Sequence, residues 1–455
     1  MALKPVFELS LFQSRREEVL RRMRARSPEG AVAVFPSTPV ATRNSDVEHA
    51  YRADSDVFFL TGFEEPEAVV VLSTQGEKPF TLFVRPRDKD KEIWNGRRSG
   101  VDGAVAAFGA SQAFDIAALG VELPRLLGTA PTLFYRLGSA DPEFDARIAK
   151  TIGALRARAR AGVDAPRRIE DPGPIVHELR LHKDQAEVEA LRRAVELTRA
   201  GHLAAMRAGR PGSHEYELHS LLEREFRHGG GRGWGYYPIV AAGENATVLH
   251  YNENNVEVRD GDLVLIDAGA EYHLYTADVT RTFPASGRFS PAQRACYELV
   301  LGAADQAIAR TRPGETLDGL HEGAVRFLTE GMIELGLLKG EPEALIKESA
   351  FRRYYMHRSS HWLGLDVHDA GSYRTDDGKP RPLVPGMVFT IEPGLYVAKD
   401  DETAPPALRG IGIRIEDDIL VTEHGHENLT EAIPRTVADV EAACSATLAP
   451  APRMR

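Results

Sequence analysis

Four strand-like runs in the second half of the chain each begin or end on a carboxylate, and this constrains the fold more than any other feature. Leu263, Val264, Leu265 and Ile266 run into Asp267, and Asp278 opens a second run that reaches Phe283. Met387-Val388-Phe389-Thr390-Ile391 closes on Glu392 ahead of Pro393-Gly394, and Ile411-Gly412-Ile413-Arg414-Ile415 closes on Glu416. Side chains alternate across a strand, so the three isoleucines of the last run share one face and Arg414 with Glu416 the other. Taken alone, that polar face fits solvent as well as a cavity wall, and Asp267 before Ala268-Gly269 fits a strand entering a turn. A carboxylate closing so apolar a strand is nonetheless costly to bury uncompensated, and four make coincidence a poor account. Paired as a hairpin, 263–267 and 278–283 bring Asp267 and Asp278 to one end of a sheet. Four carboxylates in one pocket ionise together only with cations, and two divalent ions supply the matching charge.

Histidine is dense in the same half. His357, His361 and His368 fall within twelve residues, and His250 sits in Leu249-His250-Tyr251. A single histidine is more often structural than a ligand, but three so close, beside the acids, point to a site.

The chain has 455 residues, more than one core usually organises, so two domains are expected. Residues 15–26 have a helical stripe, and 31–35, 57–60, 69–72 and 80–84 read as strands separated by Gly62, Gly76 and Pro79. The Asp171-Pro172-Gly173-Pro174 stretch sets a boundary. This gives an N-terminal α/β domain over 1–173, a second domain over 174–440 and a tail over 441–455. Asp184 with Glu187 predicts a capped helix start, and 291–310 and 317–335 read as helices among antiparallel strands. The fold class is α+β.

Only two cysteines occur, Cys296 and Cys444, which excludes a disulfide framework and a thiolate-rich metal site. The net charge of -11 argues against general nucleic-acid binding. No window approaches the ~18–20 apolar residues of a membrane span, and residues 1–26 do not read as a signal peptide. The expected compartment is the cytoplasm.

Together these segments resemble aminopeptidase P, the Xaa-Pro aminopeptidase of the pita-bread metallopeptidase family. The matching stretches are 260–269, 278–283, 361–369, Glu392-Pro393-Gly394 and 412–417. The N-terminal half adds Arg43-Asn44-Ser45-Asp46, Thr61-Gly62-Phe63 and Glu92-Ile93-Trp94, with 90–170 matching least clearly. The resemblance implies a C-terminal pita-bread catalytic domain, a curved and mostly antiparallel sheet with helices, preceded by a smaller α/β domain. It places five metal ligands on Asp267, Asp278, His361, Glu392 and Glu416, holding two divalent ions. The oxygen-rich donor set suits Mn²⁺, with Co²⁺ or Zn²⁺ as alternatives. It implies hydrolysis of the bond before proline by a metal-activated water, with Glu392 moving the proton. His250 and His368 would hold the substrate carbonyl, and His357, Tyr396 and Arg414 would shape the proline pocket or support the ligands. Expected partners are peptides with proline second, in a dimer or tetramer of identical chains. One departure stands out: the family often has glycine after the first histidine of the His-rich segment, and here it is Arg358.

A prolidase shares all five ligands and differs in substrate length. A metal-free pita-bread binding protein usually loses ligands, and none is lost here. Gly229 to Gly235 lacks the Lys-Ser/Thr of a phosphate loop and reads as a mobile loop. His214 and His219 are five apart, off one helix face, and do not make a zinc motif. Cys296 reads as a buried structural thiol.

Overall fold

The computed structural model describes residues 4–138 and 141–446. The chain divides into two units, Met1–Arg180 and Leu181–Arg455. In the first, α1 (Leu9–Arg26) buries the anticipated stripe of Val19, Leu20 and Met23 and starts earlier, at a turn that also buries Phe12. The strands β1 (Ala31–Pro36), β2 (Val69–Ser73), β3 (Phe80–Val84), β4 (Gln112–Asp115), β5 (Thr132–Phe134) and β6 (Arg168–Glu170) form one mixed sheet in the order β4-β3-β2-β1-β5-β6.

Residues 57–60, expected as a strand, are instead helical and lie within α2 (Ser55–Thr61). Asp54 caps that helix by accepting the Val57 N–H at 2.9 Å, and Gly62 closes it in the left-handed region at φ 67°. Val57, Phe58, Phe59 and Leu60 are all buried, so the run carries no helical period and looks like a buried strand. Further along, α3 (Leu119–Leu127) and α4 (Pro142–Ala157) share a core with β1, β2 and β5. The division between units falls at the end of α5 (Gly173–Leu181), which begins where the Pro-Gly-Pro boundary was read.

The second unit opens with α6 (Gln185–Ala208), held by the expected capping box. Asp184 accepts the Glu187 N–H at 3.0 Å, and Glu187 accepts the Asp184 N–H at 2.9 Å. After α7 (Glu215–His228), the strands β7 (Ile239–Ala242), β8 (Leu263–Asp267) and β9 (Thr280–Pro284) make an antiparallel sheet with β8 central. Asp267 faces Thr280 across the ladder, and Asp278 sits just ahead of β9. The expected hairpin is present. Two helices follow, α8 (Pro291–Arg310) and α9 (Leu317–Glu334).

Five strands then complete the unit: β10 (Val388–Ile391), β11 (Gly394–Tyr396), β12 (Gly412–Arg414), β13 (Asp417–Thr422) and β14 (Gly425–Asn428). β13 pairs antiparallel with β10 and with β14, while β11 pairs with β12. The sheets are knitted together at one place: the Glu416 N–H donates to Thr280 O at 3.1 Å and the Ile415 N–H to Pro393 O at 3.3 Å. Ile413 and Ile415 have 0% exposure and join the apolar core, the alternation read from the sequence. The last helix, α10 (Val437–Ser445), packs Val440 and Cys444 into that core. Of the tail expected at 441–455, residues 447–455 lie outside the described residues. Among the described residues, no helix is long and apolar enough to cross a membrane.

Candidate metal centre

The knitted point is where the strand-end acids meet. A cavity of about 770 Å³ in the second unit is lined by Asp267, Asp278, His361, Glu392 and Glu416, with His250, His357, His368 and Arg414 around them. Asp267 arrives at the end of β8, Asp278 ahead of β9, Glu392 after β10 and Glu416 between β12 and β13. All five expected ligands are brought together.

His361 is the hub. Its Nδ1 lies 3.1 Å from Trp362 O, so that N–H points at the carbonyl and Nε2 is the nitrogen turned toward the acids. That Nε2 lies 3.3 Å from Asp278 Oδ2, 3.7 Å from Glu392 Oε1 and 4.0 Å from Glu416 Oε1. Ligand atoms of Asp278, His361 and Glu416 all lie within 4.8 Å of one another. Burial raises Glu416 well above the ordinary carboxylate range, and Asp278, Asp267 and Glu392 push it the same way. Burial likewise raises Glu392 to about 7, against the pull of His361 and Arg414. Burial would lower His361, but Asp278 and Glu392 outweigh it and lift the ring to about 9. Carboxylates so crowded around one imidazole nitrogen form a donor set that fits divalent cations, which would take the place of the proton on Nε2.

The surrounding side chains fix this set. Arg414 Nη2 donates to Asp267 Oδ2 at 2.6 Å, Nη1 to the Tyr396 hydroxyl at 3.0 Å and Nε to Thr280 Oγ1 at 3.1 Å. Thr280 Oγ1 in turn donates to Glu416 Oε2 at 2.7 Å. Tyr396 is 2% exposed and lies outside the cavity lining; its hydroxyl reaches His357 Nε2 at 2.8 Å through the wall. His357 Nδ1 lies 3.5 Å from Glu392 Oε2. The His368 ring stands edge-on to His361 with centroids 4.5 Å apart. His250 rides on a loop pinned by buried Glu215, which accepts from Ala242 N, Asn245 Nδ2, the Tyr251 hydroxyl and Val256 N at 2.8–3.0 Å. The acid inside the rejected zinc motif is thus a loop anchor.

Besides Thr280, two site groups escaped the sequence reading. The Tyr236 hydroxyl lies 2.6 Å from Asp267 Oδ1 and 2.5 Å from Asp278 Oδ1, its single proton shared between the two acids. Burial, then these two acids, raise its pKa far above that of an ordinary tyrosine, so it stays a donor. Asp418 accepts the Asp278 N–H at 3.1 Å from inside β13. The only signals were a tyrosine after a glycine run and three acids in a row. The glycine segment, expected as a mobile loop, is close-packed and hydrogen-bonded: Arg232 N donates to Glu271 O at 2.8 Å and Gly235 N to Gly269 O at 2.9 Å. A Cβ on Gly235 would lie 1.9 Å from Thr276 Oγ1, so only glycine fits there.

The family model described as metallopeptidase family M24 matches residues 189–423, and that of the aminopeptidase P N-terminal domain matches 12–135. The chain is 43% identical over 433 residues to the Xaa-Pro aminopeptidase of Escherichia coli (strain K12), covering 95% of this chain and 96% of that one. It is 40% identical over 431 residues to the Xaa-Pro aminopeptidase of Haemophilus influenzae, covering 94% and 96%. Pseudomonas aeruginosa aminopeptidase PepP matches with a TM-score of 0.93 at 45% identity, over 96% of this chain and 98% of that one. The chain belongs to metallopeptidase family M24, and its catalytic unit has the pita-bread fold.

Proposed function

We propose that this protein is a dinuclear metal-dependent aminopeptidase that removes the first residue of peptides whose second residue is proline. The observation that carries this reading is the convergence of Asp278, Glu392 and Glu416 on the Nε2 of His361, with Asp267 lining the same cavity. The kinship with Xaa-Pro aminopeptidases over nearly the whole chain supplies the substrate class.

Those five residues would hold two divalent ions, Mn²⁺ best suiting the oxygen-rich donors with Co²⁺ or Zn²⁺ as substitutes. Bound there, such ions supply Lewis acidity and lower the pKa of water. Glu392 takes the proton of the attacking water and passes it to the departing proline nitrogen, which has no N–H of its own. His368, edge-on to His361, and His250 donate to the scissile carbonyl and to the oxyanion it becomes. Arg414 balances Asp267 and, with Thr280, fixes the acids in register. His357, braced by Tyr396, forms the wall against which the proline ring packs.

The N-terminal α/β domain is assigned to 1–173, the catalytic domain to 174–440 and the tail to 441–455, of which the stretch to Ser445 belongs to α10 and seats Cys444 in the catalytic core. The working form is a cytoplasmic dimer or tetramer, a compartment in which the free thiols of Cys296 and Cys444 stay reduced.

Purified protein supplied with Mn²⁺ should release arginine from Arg-Pro-Pro, and EDTA should stop it. Asp278→Ala should lose turnover while circular dichroism stays unchanged. Activity retained in that variant sinks the ligand assignment; turnover confined to dipeptides makes the protein a prolidase.

A further inference from the structure

We infer that Arg358 and Arg374, clamped by Asp318 at the rim of the cavity, form a subsite for the terminal carboxylate of the residue after proline. This makes free Xaa-Pro-Yaa tripeptides preferred substrates; the inference rests on the Xaa-Pro reading above. All three side chains line the catalytic cavity. Arg358 Nη2 pairs with Asp318 Oδ1, and Arg374 Nη2 pairs with Asp318 Oδ2 at 3.1 Å. One carboxylate therefore holds two guanidinium groups, and the rim keeps an uncompensated positive charge. Each guanidinium has five N–H donors and commits few of them to Asp318, which leaves the fork that best matches a carboxylate.

The rim is close to the chemistry. Arg358 follows His357, whose Nδ1 is 3.5 Å from Glu392. Arg374 follows Tyr373, whose hydroxyl accepts the Trp362 N–H at 3.2 Å beside the ligand His361. The free amino end of a peptide is positive; it is drawn to the acids and repelled by this rim, so the rim faces the leaving side. A tripeptide carboxylate lies two residues beyond the cleaved bond, roughly 7 Å of extended chain, within reach of long arginine side chains. Arg358 stands where the family often has glycine, so this guanidinium is a departure of the chain from the pattern it resembles. Both guanidinium groups are more than half exposed, at 58% and 55%, so the attraction is screened by salt and bears on binding rather than on the chemical step.

The test compares kcat/KM of the Mn²⁺-loaded enzyme on Arg-Pro-Ala, its C-terminal amide and the amides of Arg-Pro-Glu and Arg-Pro-Gln. The acid should exceed its amide by roughly tenfold, mostly through KM, and the preference should shrink at high salt. In Arg358→Gly and in Arg374→Gln the acid-to-amide ratio should fall toward one. Equal rates on acid and amide in the wild type overturn the subsite and leave the Xaa-Pro reading intact. A ratio unchanged in both variants also overturns it. Preference for Arg-Pro-Glu amide over Arg-Pro-Gln amide, without preference for the free acid, overturns it in favour of an acidic third side chain. If neither acid nor amide is cleaved, the Xaa-Pro reading falls and takes the subsite with it.

Discussion

Arg281→Met tests whether the acids are held by a buried frame or only by the metals they surround. Arg281 has 0% exposure, and its guanidinium reaches five acceptors. Nη2 pairs with fully buried Asp417 at 2.7 Å, Nη1 grips the carbonyls of Glu416 at 2.6 Å and Thr280 at 3.0 Å, and Nε donates to Pro434 O at 2.9 Å. Burial raises the pKa of Asp417, but Arg281 and then Arg435 outweigh it and keep the group ionised. Methionine fills the space and removes the charge, leaving Asp417 with Thr430 Oγ1 at 2.7 Å and Arg435 at 3.8 Å. Breaking a buried pair from one side costs about 3–5 kcal/mol, and these residual partners favour the lower part of that range. For a unit of this size that is roughly a 6–15 °C loss in Tm. Adding Asp417→Asn removes the orphaned charge, so the double variant should be more stable than Arg281→Met alone. Thermal unfolding by circular dichroism in EDTA, then with Mn²⁺ restored, reads both stability and the metal's contribution. Arg281→Met should also bind Mn²⁺ more weakly, since the strand carrying Glu416 loses its grip. A single variant within about 1 kcal/mol of wild type, or a double variant as unstable as the two losses added together, refutes the frame.

Three other outcomes follow from the geometry. EDTA should lower Tm at neutral pH, because it leaves the clustered acids repelling one another, and Mn²⁺ should restore it in a concentration-dependent way; a Tm indifferent to both speaks against a resident metal. Gly269→Ala should lose bound metal and turnover together, since its Cβ would sit 1.6 Å from Ala277 O and must push apart the segments carrying Asp267 and Asp278; full metal content by mass spectrometry would contradict this. In the N-terminal unit, burial raises the pKa of Asp56, but Arg180 at 2.7 Å and His177 at 3.1 Å outweigh it and hold it well below the carboxylate range. A depressed folded pKa stabilises above the unfolded value near ~3.9 and loses that stabilisation as pH falls through the folded value, so acid unfolding between roughly pH 5 and 2 should be less steep in Asp56→Asn; an unchanged slope would remove Asp56 as its source.

What could be read from the sequence, and what could not, follows from the cost of burying each group. Asp267 and Glu392 stood out because an ionised carboxylate at the end of an apolar strand demands compensation and their neighbours in sequence show none, and Glu416 because it shares a strand face with Arg414. Tyr236 and Thr280 are as close to the centre as those acids, yet a tyrosine or threonine in a strand-rich region is ordinary and asks for no explanation. Their roles come from partners 31 to 136 residues away, which no local pattern reports. The helix over Ser55–Thr61 was misread for a related reason: a short run buried on every side has no polar face to betray its period.

The glycine segment before Tyr236 shows the opposite failure. Its composition suggested freedom, but Gly231 and Gly235 are there because backbone and side chains press against them at distances no Cβ could take. Gly235 N bonds Gly269 O, and Gly269 is pressed against Ala277 O, so the two glycines join the segment carrying Tyr236 to the turn between Asp267 and Asp278. Close packing, not flexibility, sets the tyrosine hydroxyl between the two acids. A substitution that adds a methyl group at either glycine therefore acts on the metal centre without touching a ligand.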